Sequence, residues 1–455
     1  MQSLQRRWRP RCRGRFQKWR LRFHHHRCHY LRKLPVFIAA TLVALLGVSN
    51  NAAAETLKIA IIETFSGPFA PIAHNQLDTY RMFADLANRG TLAGTGNSIE
   101  VQSFDGKGSV QESLTQLKTA IDQGYRYIAQ GNGSGVALTL LDAVEKHNQR
   151  NPGKEIVFLN HAAIDPELTN GQCSFWHFRF DANSDMKMEA LTAFMENDPA
   201  ISKVYVIGQN YAHGQAVSRA ARQLLKRRRP DVQIVGDDLH PIGTVKDFSP
   251  YIAKIKASGA DTVITGNWGA DLALLIRAAK DAGLNVKFYT YYGRSAGVPT
   301  AMGAAGVGQV RTVVYWHENN ETFSGHDLAM QFRAKYDDDL YFVSIVTMLD
   351  MLARAAKATH SVEPATLAHA LEGMKINALN GEVEMRATDH QLQQPLYIAT
   401  WSALDGKGVK YDQEKTGYGW KTERKVERHV AAQPTSCQMQ RPPKPAMQPR
   451  HAGLS

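Results

Sequence analysis

From Leu57 onward, short apolar runs alternate with longer stretches whose apolar residues recur every three or four positions. That alternation predicts strands and helices taking turns, the pattern of a parallel α/β sheet. Residues 57–62 read as a buried strand. Residues 75–88 read as a helix with Leu77, Tyr80, Phe83, Ala84 and Ala87 on one face. The next strand and helix pairs are 99–104 with 110–123 and 127–130 with 136–149, followed by a strand at 156–160. A second series repeats the theme: strand 204–208 and helix 212–229, strand 232–236 and helix 248–258, strand 262–266 and helix 270–282, then strand 286–291. Two similar series imply two lobes. The strand-like Phe175-Trp176-His177-Phe178-Arg179-Phe180 stands between them and marks the first crossover. Segments 312–316, 341–358 and 381–385 read as further connections or returns, and the proline-rich stretch from Gln433 as an extended or disordered end.

Charge changes the picture only at the start of the chain. Of 54 Lys and Arg, 12 fall in residues 1–34, so the remaining 42 balance the 42 Asp and Glu. An apolar run follows over residues 34–48, then Ala52-Ala53-Ala54. Basic start, apolar centre and small residues form the layout of a secretory signal, with cleavage expected after Ala54. A basic arm for nucleic acid would also be rich in Arg, but it would leave the apolar run unexplained. A retained anchor would need about 20 apolar residues, more than the run supplies. His24-His25-His26 is compositional within this arm rather than a metal site. Removal of the leader takes Cys12 and Cys28 with it. Cys173 and Cys437 remain, either as a disulfide of an exported protein or as two separate thiols.

Signatures of catalysis are weak. Gly131-Asn132-Gly133-Ser134-Gly135 follows a strand and opens a helix, yet it lacks the third glycine of a dinucleotide turn and follows the third strand rather than the first. Asn132 occupies the place where a nucleophile elbow needs glycine. No phosphate loop, His-Glu-x-x-His or paired-cysteine metal motif occurs, and no cofactor is expected. His161, His213 and His240 are each isolated and read as structural or exposed.

The loops at the carboxyl ends of the strands point to binding, because ligands of open α/β sheets sit there. In the first lobe these are Phe65-Ser66-Gly67-Pro68-Phe69, Asn132-Gly133-Ser134-Gly135 and Asn160-His161-Ala162-Ala163-Ile164. In the second they are Asn210-Tyr211, Asn267-Trp268-Gly269-Ala270-Asp271 and Tyr291-Tyr292-Gly293-Arg294. Two facing sets of loops make a cleft.

At these residues, from about Leu57 to Tyr411, the chain resembles the periplasmic branched-chain amino-acid-binding proteins of ABC transporters. The resemblance rests on the Ser-Gly-Pro-Phe-Ala turn, the Gly-x-Gly-Ser-Gly loop and Asp165-Pro166-Glu167-Leu168-Thr169. It rests equally on Tyr211-Ala212-His213-Gly214, Val245-Lys246-Asp247-Phe248-Ser249 and Asp389-His390-Gln391. It implies two Rossmann-like lobes with a hinge, the type I periplasmic binding fold. The first lobe is expected over 55–180 plus 318–380 and the second over 181–317 plus 381–430, with a tail at 431–455. The implied role is capture of an amino-acid-like or carboxylate-bearing solute by lobe closure, without a reaction, in partnership with an inner-membrane permease. A periplasmic sensor partnering a membrane receptor, or an exported enzyme on the same scaffold, are the other readings. The ending Cys437-Gln438-Met439-Gln440-Arg441-Pro442 also resembles a branch of that family, which favours a Cys173–Cys437 disulfide.

The resemblance also implies a ligand set. Ser134 matches the hydroxyl that holds a ligand carboxylate at a helix N-terminus, and Ala162 matches a backbone contact. Tyr211 and Trp268 match second-lobe aromatics that close over the ligand, Trp268 standing where tyrosine is common. Phe69 and Tyr292 complete the expected ligand-binding set, together with Ile164 and Asp271. Ile164 departs from a threonine that meets both ends of an amino acid, and residues 291–298 contain Arg294 but no acid. An unpaired buried ammonium is costly, so either Asp271 takes that role or the ligand lacks an amino group.

Overall fold

The computed structural model describes residues 55–90 and 98–445. The leader expected over 1–54 and the last ten residues of the tail lie outside them. Among the described residues, no helix is long and apolar enough to cross a membrane.

The first series folds into a five-stranded, wholly parallel sheet. Its strands are β1 (Thr56–Glu63), β2 (Ser98–Asp105), β3 (Tyr127–Gln130), β4 (Val157–Asn160) and β5 (His177–Arg179), in the order β2-β1-β3-β4-β5. β3 and β4 are buried at every position, which is why they appear in the sequence as continuous apolar runs rather than alternating ones. The connecting helices are α1 (Ala70–Asn88), α2 (Val110–Asp122) and α3 (Ser134–Arg150). α1 begins five residues before the expected 75, since Pro71 in its first turn needs no N–H partner there and presets the helical φ.

The second sheet has seven strands. β6 (Lys203–Gln209), β7 (Gln233–His240), β8 (Thr262–Thr265), β9 (Lys287–Thr290) and β10 (Val310–Val314) run parallel, separated by α5 (Ala212–Arg228), α6 (Ser249–Ser258), α7 (Gly269–Asp281) and the short α8 (Val298–Met302). β14 (Leu396–Ala403) and β15 (Tyr418–Val426) add to β10 in antiparallel fashion, giving the order β15-β14-β10-β9-β8-β6-β7. Trp401 and Trp420 are cross-strand partners whose ring centroids lie 5.0 Å apart, an aromatic pair that pins the register of the added strands.

Several helices escaped the sequence pattern: the short α8, two that follow β10, and one between β5 and β6. α4 (Ser184–Met195) is buried around nearly its whole circumference, so no polar face marks its period. Its start is set by Asn183, whose side chain accepts a hydrogen bond from Met186 N at 2.9 Å.

After β10 the chain supplies α9 (His326–Tyr336), α10 (Val343–Thr359) and α11 (Pro364–Leu371), of which α10 packs on α1. A three-stranded sheet follows, made of β11 (Lys375–Ala378), β12 (Gly381–Met385) and β13 (Leu392–Gln393). The position expected for the lobe boundary, 380, lies within this small sheet. It falls in the turn of the β11–β12 hairpin, whose strands pair from Lys375 with Glu384 to Ala378 with Gly381, and the chain enters the second sheet only at Leu396.

The stretch from Gln433 to Pro445 is extended and returns to the first series. Cys437 forms a disulfide with Cys173, 264 positions earlier. Thr435 Oγ1 donates to Thr169 O at 2.9 Å, and Arg441 Nε donates to Glu372 at 2.6 Å.

Candidate ligand-binding site

The carboxyl ends of β1, β3 and β4 converge on the turn that starts α3. Gly133 has φ +91°, a conformation that side chains rarely adopt, and a Cβ on Gly131 would lie 2.5 Å from His161 Nε2. Glu63, at the end of β1, accepts hydrogen bonds from Gly131 N and Asn132 N and so holds this turn from behind. Burial pushes the Glu63 carboxyl up to about 8, so at neutral pH it keeps its proton. Burial likewise pushes His161 down to about 3. His161 Nδ1 lies 3.0 Å from the Tyr80 hydroxyl and Nε2 lies 3.4 Å from Glu63 Oε1. The base of the turn is thus neutral.

That neutrality leaves the N-terminus of α3 as the dominant local field. The first-turn N–H groups of a helix lack intrahelical partners and attract an anion. Ser134 Oγ accepts from Asp165 N at 3.3 Å and keeps its own proton to donate. Asn160 braces the neighbouring loop, accepting from Ala162 N and Ala163 N and donating to Ala163 O.

Across the cleft, Trp268 Nε1 donates to the Tyr211 hydroxyl at 2.8 Å, and Phe69 stacks on Trp268 with centroids 4.2 Å apart. Gly243 and Gly269, both with positive φ, let the second-series loops approach the Phe69 ring, where an added Cβ would meet its carbons at 3.0 and 3.3 Å. The two sets of loops are therefore in contact.

They line a partly open pocket. Of the expected residues, Ser134, Ala162, Ile164, Tyr211, Trp268 and Tyr292 line it together. Phe69 does not line it but backs Trp268. Asp271 does not line this pocket either. Its carboxylate accepts from Gln209 Nε2 and from Gly243 N, each at 2.8 Å, and so props the loop that meets Phe69. Ile72, Ser295 and Phe342 also line the cavity and were not foreseen. Ile72 precedes the first residue of the expected helix, and Phe342 lies just before α10, far away in the chain. Neither had a local signal.

A second, partly open compartment shares Ala162, Tyr292, Ser295 and Phe342 with the first. Here the walls carry charge. Lys187 Nζ is 2.9 Å from Asp181 Oδ2 and sits 4.9 Å from the centroid of the Tyr292 ring. Arg294 pairs with Glu318 and lies 4.1 Å over the Trp316 ring. Desolvation raises the carboxyls of both Asp181 and Glu318 against the pull of these cations.

A family model described as "Periplasmic binding protein" matches residues 56–408. The chain belongs to that family. The "Leu/Ile/Val-binding protein homolog 4" of Brucella melitensis biotype 1 is 30% identical to this binding protein over 418 residues, covering 90% of the chain and 98% of the relative. The crystal structure of a leucine-, isoleucine-, valine-, threonine- and alanine-binding protein from Brucella ovis, in a closed conformation, superposes with a TM-score of 0.75 at 30% identity, over 86% of this chain and 100% of that one. A solute-binding protein of an ABC transporter from R. palustris, in complex with 4-hydroxybenzoate, shares the fold with a TM-score of 0.69 at 19% identity, over 82% and 98% of the two chains. The disulfide, the two sheets and the interposed cavity of this periplasmic binding protein are consistent with a binding role in an oxidising compartment.

Proposed function

We propose that this protein captures a small carboxylate-bearing solute between its lobes and delivers it to an ABC permease in the inner membrane, turning over nothing itself. One observation carries the reading. The N-terminus of α3 and the Ser134 hydroxyl open into a cavity that Phe69 and Trp268 seal from the opposite side. A carboxylate at that helix end gains charge-assisted hydrogen bonds, which lobe closure strengthens by excluding water. Both lobes touch the solute only when closed, so binding shifts the hinge toward closure. The amino-acid ligands named for the Brucella proteins support a carboxylate as the common handle.

Export by a leader removed near Ala54 completes this reading, and mass spectrometry of the periplasmic form should find an N-terminus near Glu55. Calorimetry with a panel of small carboxylates is the direct test. Saturable binding that weakens tenfold or more in Ser134→Ala is expected. Carboxylates that bind equally well to parent and variant would place the site elsewhere.

A further inference from the structure

The first compartment contains no charged side chain, although three acids stand close to it. None of the three lines it, and each accepts hydrogen bonds from the protein. Glu63 accepts from Gly131 N and Asn132 N, and Asp271 accepts from Gln209 and Gly243. Asp165 caps the turn Pro166–Thr169 by accepting from Glu167 N at 2.9 Å. A ligand ammonium in this compartment would find no carboxylate in its lining.

In the second compartment the one lining acid, Asp181, already has its cation. Its Oδ2 takes Lys187 and its Oδ1 accepts from Ala182 N at 2.7 Å. Both Asp181 and Lys187 are more than nine-tenths buried. Lys187 makes one hydrogen bond, to Asp181, out of the three its ammonium can donate. Arg294, 7% exposed, has an Nε with no partner among the described residues. The compartment therefore offers spare donors on two cations, and a second ammonium would be set against like charge at low dielectric.

We infer that the ligand is an organic acid without an amino group, whose carboxylate sits at Ser134 and whose far end carries a second acceptor for Lys187 and Arg294. This rests on the proposed solute-binding reading and adds the chemical class. The two compartments are adjacent, with Ala162, Tyr292, Ser295 and Phe342 common to their linings, and the inferred ligand extends across both. Discrimination comes from polar groups that a wrong ligand leaves unpaired, which is where binding sites achieve their largest selectivity.

Two matched series test this by calorimetry on the mature protein: adipate, hexanoate, 6-aminohexanoate and leucine, then terephthalate, benzoate, 4-(aminomethyl)benzoate and phenylalanine. In at least one series the di-acid should bind tenfold or more tightly than the mono-acid, with the amino-bearing members weakest. In Lys187→Met/Asp181→Asn, which removes the pair without stranding a charge, the advantage of the di-acid should fall below threefold while the mono-acid binds as before. Lys187→Gln, which keeps a donor for Asp181, gives the same comparison if the double variant does not fold. Tightest binding by an amino-bearing member, or a di-acid advantage that persists in the variants, overturns the inference and leaves the solute-binding reading standing. If no member of either series binds, both fall.

Discussion

On the first-series side of the cleft, the polar groups that line the pocket are backbone N–H and a hydroxyl, with a neutral buried acid behind them. On the second-series side they are aromatic rings, with an ion pair behind them. The two sides also differ in construction. The first sheet is purely parallel and is closed by a disulfide from the far end of the chain, whereas the second is completed by two antiparallel strands. Backbone donors at a helix end are preorganised and read only the presence of an anion. Side chains carry the identity of the rest. The proposed ligand site thus divides anchoring and discrimination between the two sides.

The largest expected effect tests the first side's dependence on its distant tie. Cys173→Ser with Cys437→Ser frees a loop of 264 positions and should cost up to about 5.6 kcal/mol in the chain-entropy account, read as a lower urea midpoint under non-reducing conditions. Oxidised parent and double variant unfolding together would show that the tail adds nothing.

Next comes the anchor. Ser134→Ala should lose a charge-assisted bond of about 1.5 to 3 kcal/mol, a tenfold to hundredfold loss of affinity in calorimetry. A comparable loss from every second-side substitution would erase the proposed division of labour.

The neutral acid behind the anchor predicts a pH signature confined to the first side. Glu63 is raised from 4.5 to about 8 in the fold. Between these values the native state holds a proton that the unfolded chain has released, so stability from this group is full below about pH 4.5 and is lost as pH rises toward 8. The limit is about 1.4 kcal/mol per pH unit. Glu63→Gln should flatten this slope in urea titrations between pH 5 and 9. His161 has the opposite sign, its contribution being present above pH 6.5 and lost as pH falls toward 3. A Glu63→Gln protein with the parent's slope would mean that the acid is ionised in the fold.

The smallest effect concerns the seal. Trp268→Ala removes a stacked pair worth about 0.5 to 1.5 kcal/mol beyond its buried area. The fold should be spared, while X-ray scattering should show less ligand-induced compaction. Unchanged compaction would make Phe69 and Trp268 mere packing.

Much of this protein was legible in the order of its residues. Local rules suffice to mark β1, β3 and β4 as apolar runs and to place Ser134 at the start of α3, because strand periodicity and a glycine-rich turn act within a few positions. The resemblance carried from those motifs brought six residues to one cavity. Tertiary packing decided the rest. α4 is buried on all sides and so has no period to read, and β14 joins its sheet only after the chain has left and returned. Asp271 looks free in the sequence, yet Gln209 and Gly243 claim its carboxylate. Lys187 shows no local sign of its role, since Tyr292, which forms the wall beside it, lies 105 positions later in the chain. A charge's partners, and therefore its chemistry, are set by which distant backbone passes beside it, and that is fixed only when the sheets close on one another.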